Sequence, residues 1–230
     1  MAALANALQF SIGLLRHVKR SGAASFKELA GAKERFCIRA AYKHRHDYAY
    51  FDDTSLKDEW QREVYVRAQQ IAEQYNLRTV YDVGCGSAYK LIKHFGAYET
   101  VGFDVPETLA FLRKTYPDRT WKFVPFSDRT TATADLVICA DVIEHVVDPS
   151  ELLQFIKSIA AKWIVLSTPD RDLIYPRLSP YRLGPPRNPC HIREWTFDEF
   201  GRFAAQFFQI EEHIISNEEQ ATQMIVAQAA

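Results

Sequence analysis

From residue 79 onward, short apolar runs alternate with longer segments in which apolar residues recur every three or four positions. The runs at 79–83, 100–103, 121–124, 135–139 and 163–167 are short and rich in Val, Ile, Phe and Trp, which predicts buried strands. The periodic segments 87–95, 107–116 and 149–160 predict helices between them; Gly96 and Pro117 stop the first two, and Asp148 with Pro149 opens the third. A further helix is predicted over 196–207, with Asp198 and Glu199 in its first turn. Strands separated by helices imply a parallel, doubly wound sheet. The last two runs, 208–216 and 222–227, lie too close together for a helical crossover, so they should form an antiparallel hairpin. The expected class is α/β.

Upstream the pattern is entirely helical or mixed. Residues 56–75 read as one long amphipathic helix ending near Asn76. Leu4, Leu8, Ile12 and Leu15 share one helical stripe, followed by Arg16, Lys19 and Arg20. That stripe suits a packing helix or, over residues 1–20, peripheral contact with an anionic membrane. The chain thus divides into a basic helical N-terminal extension or lid, 1–55, and a main domain, 56–230.

Charge sharpens this division. Net charge is −1, yet residues 16–45 carry nine Lys or Arg against Glu28 and Glu34. Residues 1–15 carry none, so 46–230 hold −1 − 7 = −8. An acidic body argues against nucleic acid as the partner. Cys37, Cys85, Cys139 and Cys190 have no CxxC spacing, which excludes a zinc ribbon or thioredoxin-like site. The apolar start lacks a secretion signal and is too short to span a bilayer, so a cytoplasmic protein is expected.

The chemistry concentrates where the first strand ends. Asp82 is followed by Gly84, Cys85 and Gly86, and the next strand closes on Asp104, 18 residues beyond Gly86. A glycine turn at a strand end, with a carboxylate ending the next strand, suits an adenosine-containing cofactor. The third glycine of the dinucleotide fingerprint is replaced by Tyr89, and no Gly-Lys-Ser/Thr follows the turn. A nicotinamide cofactor is thereby disfavoured and a P-loop excluded. Asp82 can accept from a ligand ammonium or ordered water, Gly84 and Gly86 let backbone approach, and Asp104 can accept from both ribose hydroxyls.

These residues resemble motif I and the ribose-binding strand end of the class I S-adenosylmethionine-dependent methyltransferases. Asp141, Glu144, His145, Asp148 and Pro149 resemble the loop after that family's fourth strand, and the terminal hairpin fits its seven-stranded, Rossmann-like sheet. The segment from Asn188 through His191 to Trp195 resembles one found in a bacterial subset acting on small molecules or glycans. The resemblance spans roughly residues 56–228. It implies S-adenosyl-L-methionine as methyl donor, held by Asp82, Gly84, Cys85, Gly86 and Asp104. Ala140 and Asp141 would lie by its methionine part, and Ser127 or Asp128 by its adenine. Two departures stand out: Ala88 replaces a customary glycine, and no clear adenine-side acid follows strand three.

His145 is the first choice as general base for an acceptor hydroxyl and His191 the second; a capping or structural role is the competing reading of each. Asp141, Glu144, His145 and His191 could instead hold Mg²⁺ or Mn²⁺, as comparable residues do in ubiquinone-pathway and small-RNA methyltransferases. The sequence is read here as assigning no metal. Residues 171–193 hold five arginines, five prolines and one acid, Asp172. A stiff arginine-rich loop beside the acceptor site predicts a small-molecule or glycan acceptor bearing an anionic group. The alternatives are an RNA-modifying methyltransferase and a non-catalytic S-adenosylmethionine-binding protein.

Overall fold

The computed structural model describes residues 34–51 and 53–229. Seven strands form one sheet in the order β3-β2-β1-β4-β5-β7-β6. They are β1 (Thr79–Val83), β2 (Glu99–Phe103), β3 (Thr120–Lys122), β4 (Leu136–Ala140), β5 (Trp163–Pro169), β6 (Phe208–Asn217) and β7 (Thr222–Ala229). β1 to β5 are parallel, and β7 runs antiparallel to both β5 and β6. The strand order reverses between β1 and β4, so the crevice where such sheets bind ligands opens at the C-terminal ends of these two strands.

Side-chain alternation divides the core between two faces. Leu136, Ile138 and Ala140 of β4 pack into one cluster with Val64, Ala68 and Ile71 of α1 (Arg62–Gln74) and Leu91 and Phe95 of α2 (Tyr89–Phe95). Leu109 and Leu112 of α3 (Pro106–Thr115) join them. Val137 and Cys139 face the other cluster, with Leu152, Phe155 and Ile156 of α4 (Pro149–Ser158). The short helix α5 (Arg171–Ile174) follows β5, and α6 (Phe197–Ala204) adds Phe200 and Phe203 to this second cluster. Asp148 caps α4 by accepting from the Ser150 amide at 2.9 Å, and Thr196 and Glu199 form a reciprocal capping box on α6.

The predicted strands are all present, with shifts of one or two residues at their ends. The helix expected over 56–75 begins only at Arg62, because Gln61 is in the left-handed region (φ 63°) and the chain before it turns away. The calls on residues 1–33, including the apolar helix and its membrane contact, lie outside the described residues. What is described of the N-terminal extension has a single 3-10 turn, Arg35–Cys37, and otherwise runs as an irregular strap. Its backbone bonds go to the arginine-rich loop: the amides of Lys43, Arg45 and Ala49 donate to the carbonyls of Leu183, Ile192 and Pro189 at 2.7–2.8 Å. Ile38 and Tyr42 anchor it in the core. No helix among the described residues is long and apolar enough to cross a membrane.

Candidate functional site

The glycine turn leaves β1 with Gly84 at φ 76° and Gly86 at φ 50°, a region that favours glycine. Space is as restrictive as conformation. A Cβ on Gly84 would sit 2.3 Å from a Val142 methyl, and one on Gly86 2.5 Å from an Asp53 carboxylate oxygen. Asp104 ties the turn to the end of β2: its two oxygens accept from the amides of Gly86 at 2.7 Å and Val105 at 2.8 Å. Burial raises its pKa. Ala88, where the resembling motif has glycine, also has positive φ (53°), so its methyl is held in a strained conformation.

Asp82 lies behind the turn. It is fully buried, and Oδ2 accepts from the Tyr65 hydroxyl at 2.8 Å while Oδ1 has no hydrogen-bond partner among the described residues. Burial pushes its carboxyl up to about 7 despite that hydrogen bond. The sequence expected Asp82 to meet a ligand directly; the structure places it one layer back from the cavity wall.

Two cavities meet above the C-terminal strand ends. The first, ≈ 580 Å³, is lined by Gly84, Cys85, Gly86, Asp104, Ala140, Asp141 and His145, and is roofed by Tyr48, Tyr50 and Phe51 of the strap. The second, ≈ 660 Å³, is lined by Glu144, His191, Glu194, Asn188 and Arg187, with Lys57 and the exposed Trp60. Phe51, Asp53, Gln61, Lys90, Asp141 and His145 line both. Both volumes are of the size small ligands and cofactors occupy. Ser127 stands apart: it is exposed, its hydroxyl donates to Asp128, its carbonyl accepts from Arg129, and it lines neither cavity.

At the shared wall, His145 Nδ1 lies 2.8 Å from the Cys190 carbonyl and therefore donates to it, leaving Nε2 as an acceptor. Phe51 stacks on the ring at 5.5 Å. Burial, with the neighbouring His191, pushes the His145 pKa down to about 4, so the imidazole is neutral at physiological pH. His191 crosses it edge-on at 4.9 Å. The Cys190 amide fixes the Asn188 side chain by donating to Oδ1 at 2.9 Å, which turns the Asn188 NH₂ toward His191 Nε2, also at 2.9 Å. His191 Nδ1 in turn donates to Glu194 at 2.7 Å. Glu144 is buried, accepts from Thr168 at 2.9 Å, and has its pKa raised well above normal by burial and by Asp141. Asp141 accepts from the Ser167 hydroxyl at 2.6 Å, and burial raises its pKa too.

The structure brings Glu144, His145 and His191 together, with one ligand atom of each within 4.8 Å of the others; Asp141, the fourth metal candidate, is outside this group. As a metal site the set is incomplete. His191 Nε2 is already engaged by Asn188, which leaves one Glu144 oxygen and His145 Nε2 ready to ligate. The sequence did not foresee Tyr50, Phe51, Asp53, Gln61 or Lys90 in the walls. The signal lay in the aromatic cluster of the strap, which has no periodicity to place it.

The sequence matches the family described as "Methyltransferase domain" over residues 40–213. Among solved structures, the methyltransferase domain of a bacterial Hen1, CtHen1, is similar with a TM-score of 0.57 and 18% identity over 74% of this chain and 98% of that one. Magnesium protoporphyrin IX methyltransferase from Synechocystis PCC 6803, solved with bound S-adenosylhomocysteine, has a TM-score of 0.56 and 17% identity over 74% and 83%. The small RNA methyltransferase HEN1 has 0.58 and 20% over 81% of this chain and 27% of that one. Among curated proteins no sequence matches. The chain belongs to the methyltransferase domain family. It is an enzyme whose methyl donor is S-adenosylmethionine.

Proposed function

We propose that the enzyme methylates an oxygen of a small-molecule or glycan acceptor that carries an anionic group. The observation that carries this reading is His145, a neutral imidazole in the wall common to both cavities, with Nδ1 engaged by the Cys190 carbonyl and Nε2 left as the acceptor. The first cavity takes the cofactor, with Asp104 accepting from the ribose hydroxyls and Gly84 and Gly86 admitting it against the backbone. When bound, S-adenosylmethionine supplies an electrophilic methyl and its own leaving group. The second cavity takes the acceptor, whose hydroxyl loses its proton to His145 Nε2 as the oxygen attacks. Phe51 stacked on the imidazole holds the ring's orientation, and the two cavities provide the in-line alignment that methyl transfer mostly requires.

The anionic group is read by Arg187 and Lys57. Arg182 is occupied by Asp172 and by the Tyr175 carbonyl, and Arg177 lines neither cavity. An RNA acceptor is disfavoured by the acidic body, residues 46–230, which lacks the basic face that a polyanion needs. Cytoplasmic residence is supported by the four cysteines, all unpaired.

Steady-state kinetics with the acceptor test this reading. His145→Gln should lower kcat by roughly 10²–10⁴-fold. The wild-type acid limb should fall near pH 4–5 rather than 6.5, because the base is active only when deprotonated. Arg187→Gln should raise acceptor KM and leave cofactor Kd unchanged. Undiminished activity of His145→Gln would remove the base assignment. The gathered Glu144, His145 and His191 favour one second reading, metal-assisted transfer. Loss of activity in a strong chelator, restored by Mg²⁺ or Mn²⁺, would select it.

A further inference from the structure

The methionine part of the cofactor brings a carboxylate and an ammonium into the first cavity. Among the described residues that line it, the acids are Asp53, Asp104 and Asp141, and the one Lys or Arg is Lys90. Lys90 is 8% exposed, an unusual burial for an ammonium. Its Nζ donates to the Lys57 carbonyl at a long 3.5 Å and lies 5.8 Å from the centre of the Tyr65 ring. No carboxylate lies within salt-bridge distance of it among the described residues. A buried cation facing a cavity without an ion-pair partner is poised for an anionic ligand.

Its place in the wall says which anion. The sulfur joins the ribose to the methionine chain. With the ribose at Asp104 and the methyl directed at the second cavity, the amino-acid end reaches the shared wall. Lys90 and Asp141 are both in that wall, opposite in charge, as a zwitterion requires.

We propose that Lys90 binds the carboxylate of the cofactor's methionine part and so positions the sulfonium between the two cavities. This rests on the assignment of the first cavity to the cofactor. The test is calorimetric titration of the full chain with two ligands. S-adenosylhomocysteine carries the amino-acid end, and 5′-methylthioadenosine lacks it. Lys90→Met should weaken S-adenosylhomocysteine by roughly 10–100-fold and leave 5′-methylthioadenosine unchanged. Lys90→Arg should retain binding of both. Lys90→Gln serves as the neutral variant should the Met protein fail to show a cooperative melt.

Two results overturn the proposal: S-adenosylhomocysteine binding that survives neutralisation, or equal losses for both ligands. The cavity assignment is tested separately by Asp104→Ala. If that change weakens neither ligand, the assignment fails whatever Lys90 does.

Discussion

Asp82 sits behind the cavity wall rather than in it, although the sequence set it against a ligand. Its carboxyl is enclosed with one oxygen unpartnered, and its folded-state pKa of about 7 lies well above the value of about 3.9 in an unfolded chain. Between those values the folded chain holds a proton that the unfolded chain has released. Stability from this group therefore falls as pH rises from about 4 to about 7, and is level above. Asp82→Asn removes the penalty. In the ligand-free protein its melting temperature relative to wild type should rise from pH 5 to pH 7.5, as scanning fluorimetry would show; a difference flat with pH would place the ionisation elsewhere. His44 and His145, both pushed down to about 4 by burial, slope the opposite way but do so equally in both proteins. At this scale Gly84, Gly86, Asp104, Asp141 and His145 were legible, because strand ends in a doubly wound sheet have a fixed relation to the crevice. Ser127 was not, since no period governs the loop after β3. Lys90 looked like one more polar residue on a helix, and its burial beside the Lys57 carbonyl and the Tyr65 ring is tertiary.

Among the elements, the strap and the arginine-rich loop behave as one unit. Gly184 holds them together. It has φ 64° and ψ 180°, a conformation essentially confined to glycine, and a Cβ there would fall 2.1 Å from the Lys43 carbonyl oxygen. Gly184→Ala should destabilise the protein by about 2–4 kcal/mol. Because the strap also roofs the first cavity, the same change should weaken cofactor binding, although Gly184 lines neither cavity. A variant that melts and binds like wild type would show that the two segments dock independently. This pairing was invisible in the sequence, where the two segments lie far apart and neither is periodic. The late start of α1 has a related cause: Leu56 and Trp60 continue its apolar pattern, but they are more than half exposed, and Trp60 borders the second cavity instead of the core.

For the whole molecule, topology made the fold legible. Each β4 side chain alternates between the two core clusters, so a one-residue slip would exchange the faces of the entire strand. Such a sheet places ligands at the point where its strand order reverses, and both cavities are found there. The second cavity escaped this logic, because much of its wall comes from the arginine-rich loop and the segment before α1, which follow no sheet rule.

The roof of the first cavity has a consequence for the order of events. Tyr48, Tyr50 and Phe51 cover it, and the amide of Ala49 between them is bonded to Pro189 in the loop that borders the second cavity. The two chambers therefore share one door. With the cavities assigned as proposed, a molecule seated against Arg187 and Asn188 would hold the loop, the loop would hold the strap, and the spent cofactor would be retained until the acceptor side empties. Turnover should be sequential, with cofactor first in and last out. In stopped-flow measurements, an unreactive acceptor analogue should slow the departure of S-adenosylhomocysteine several-fold, and an unchanged departure rate would mean that each chamber opens on its own.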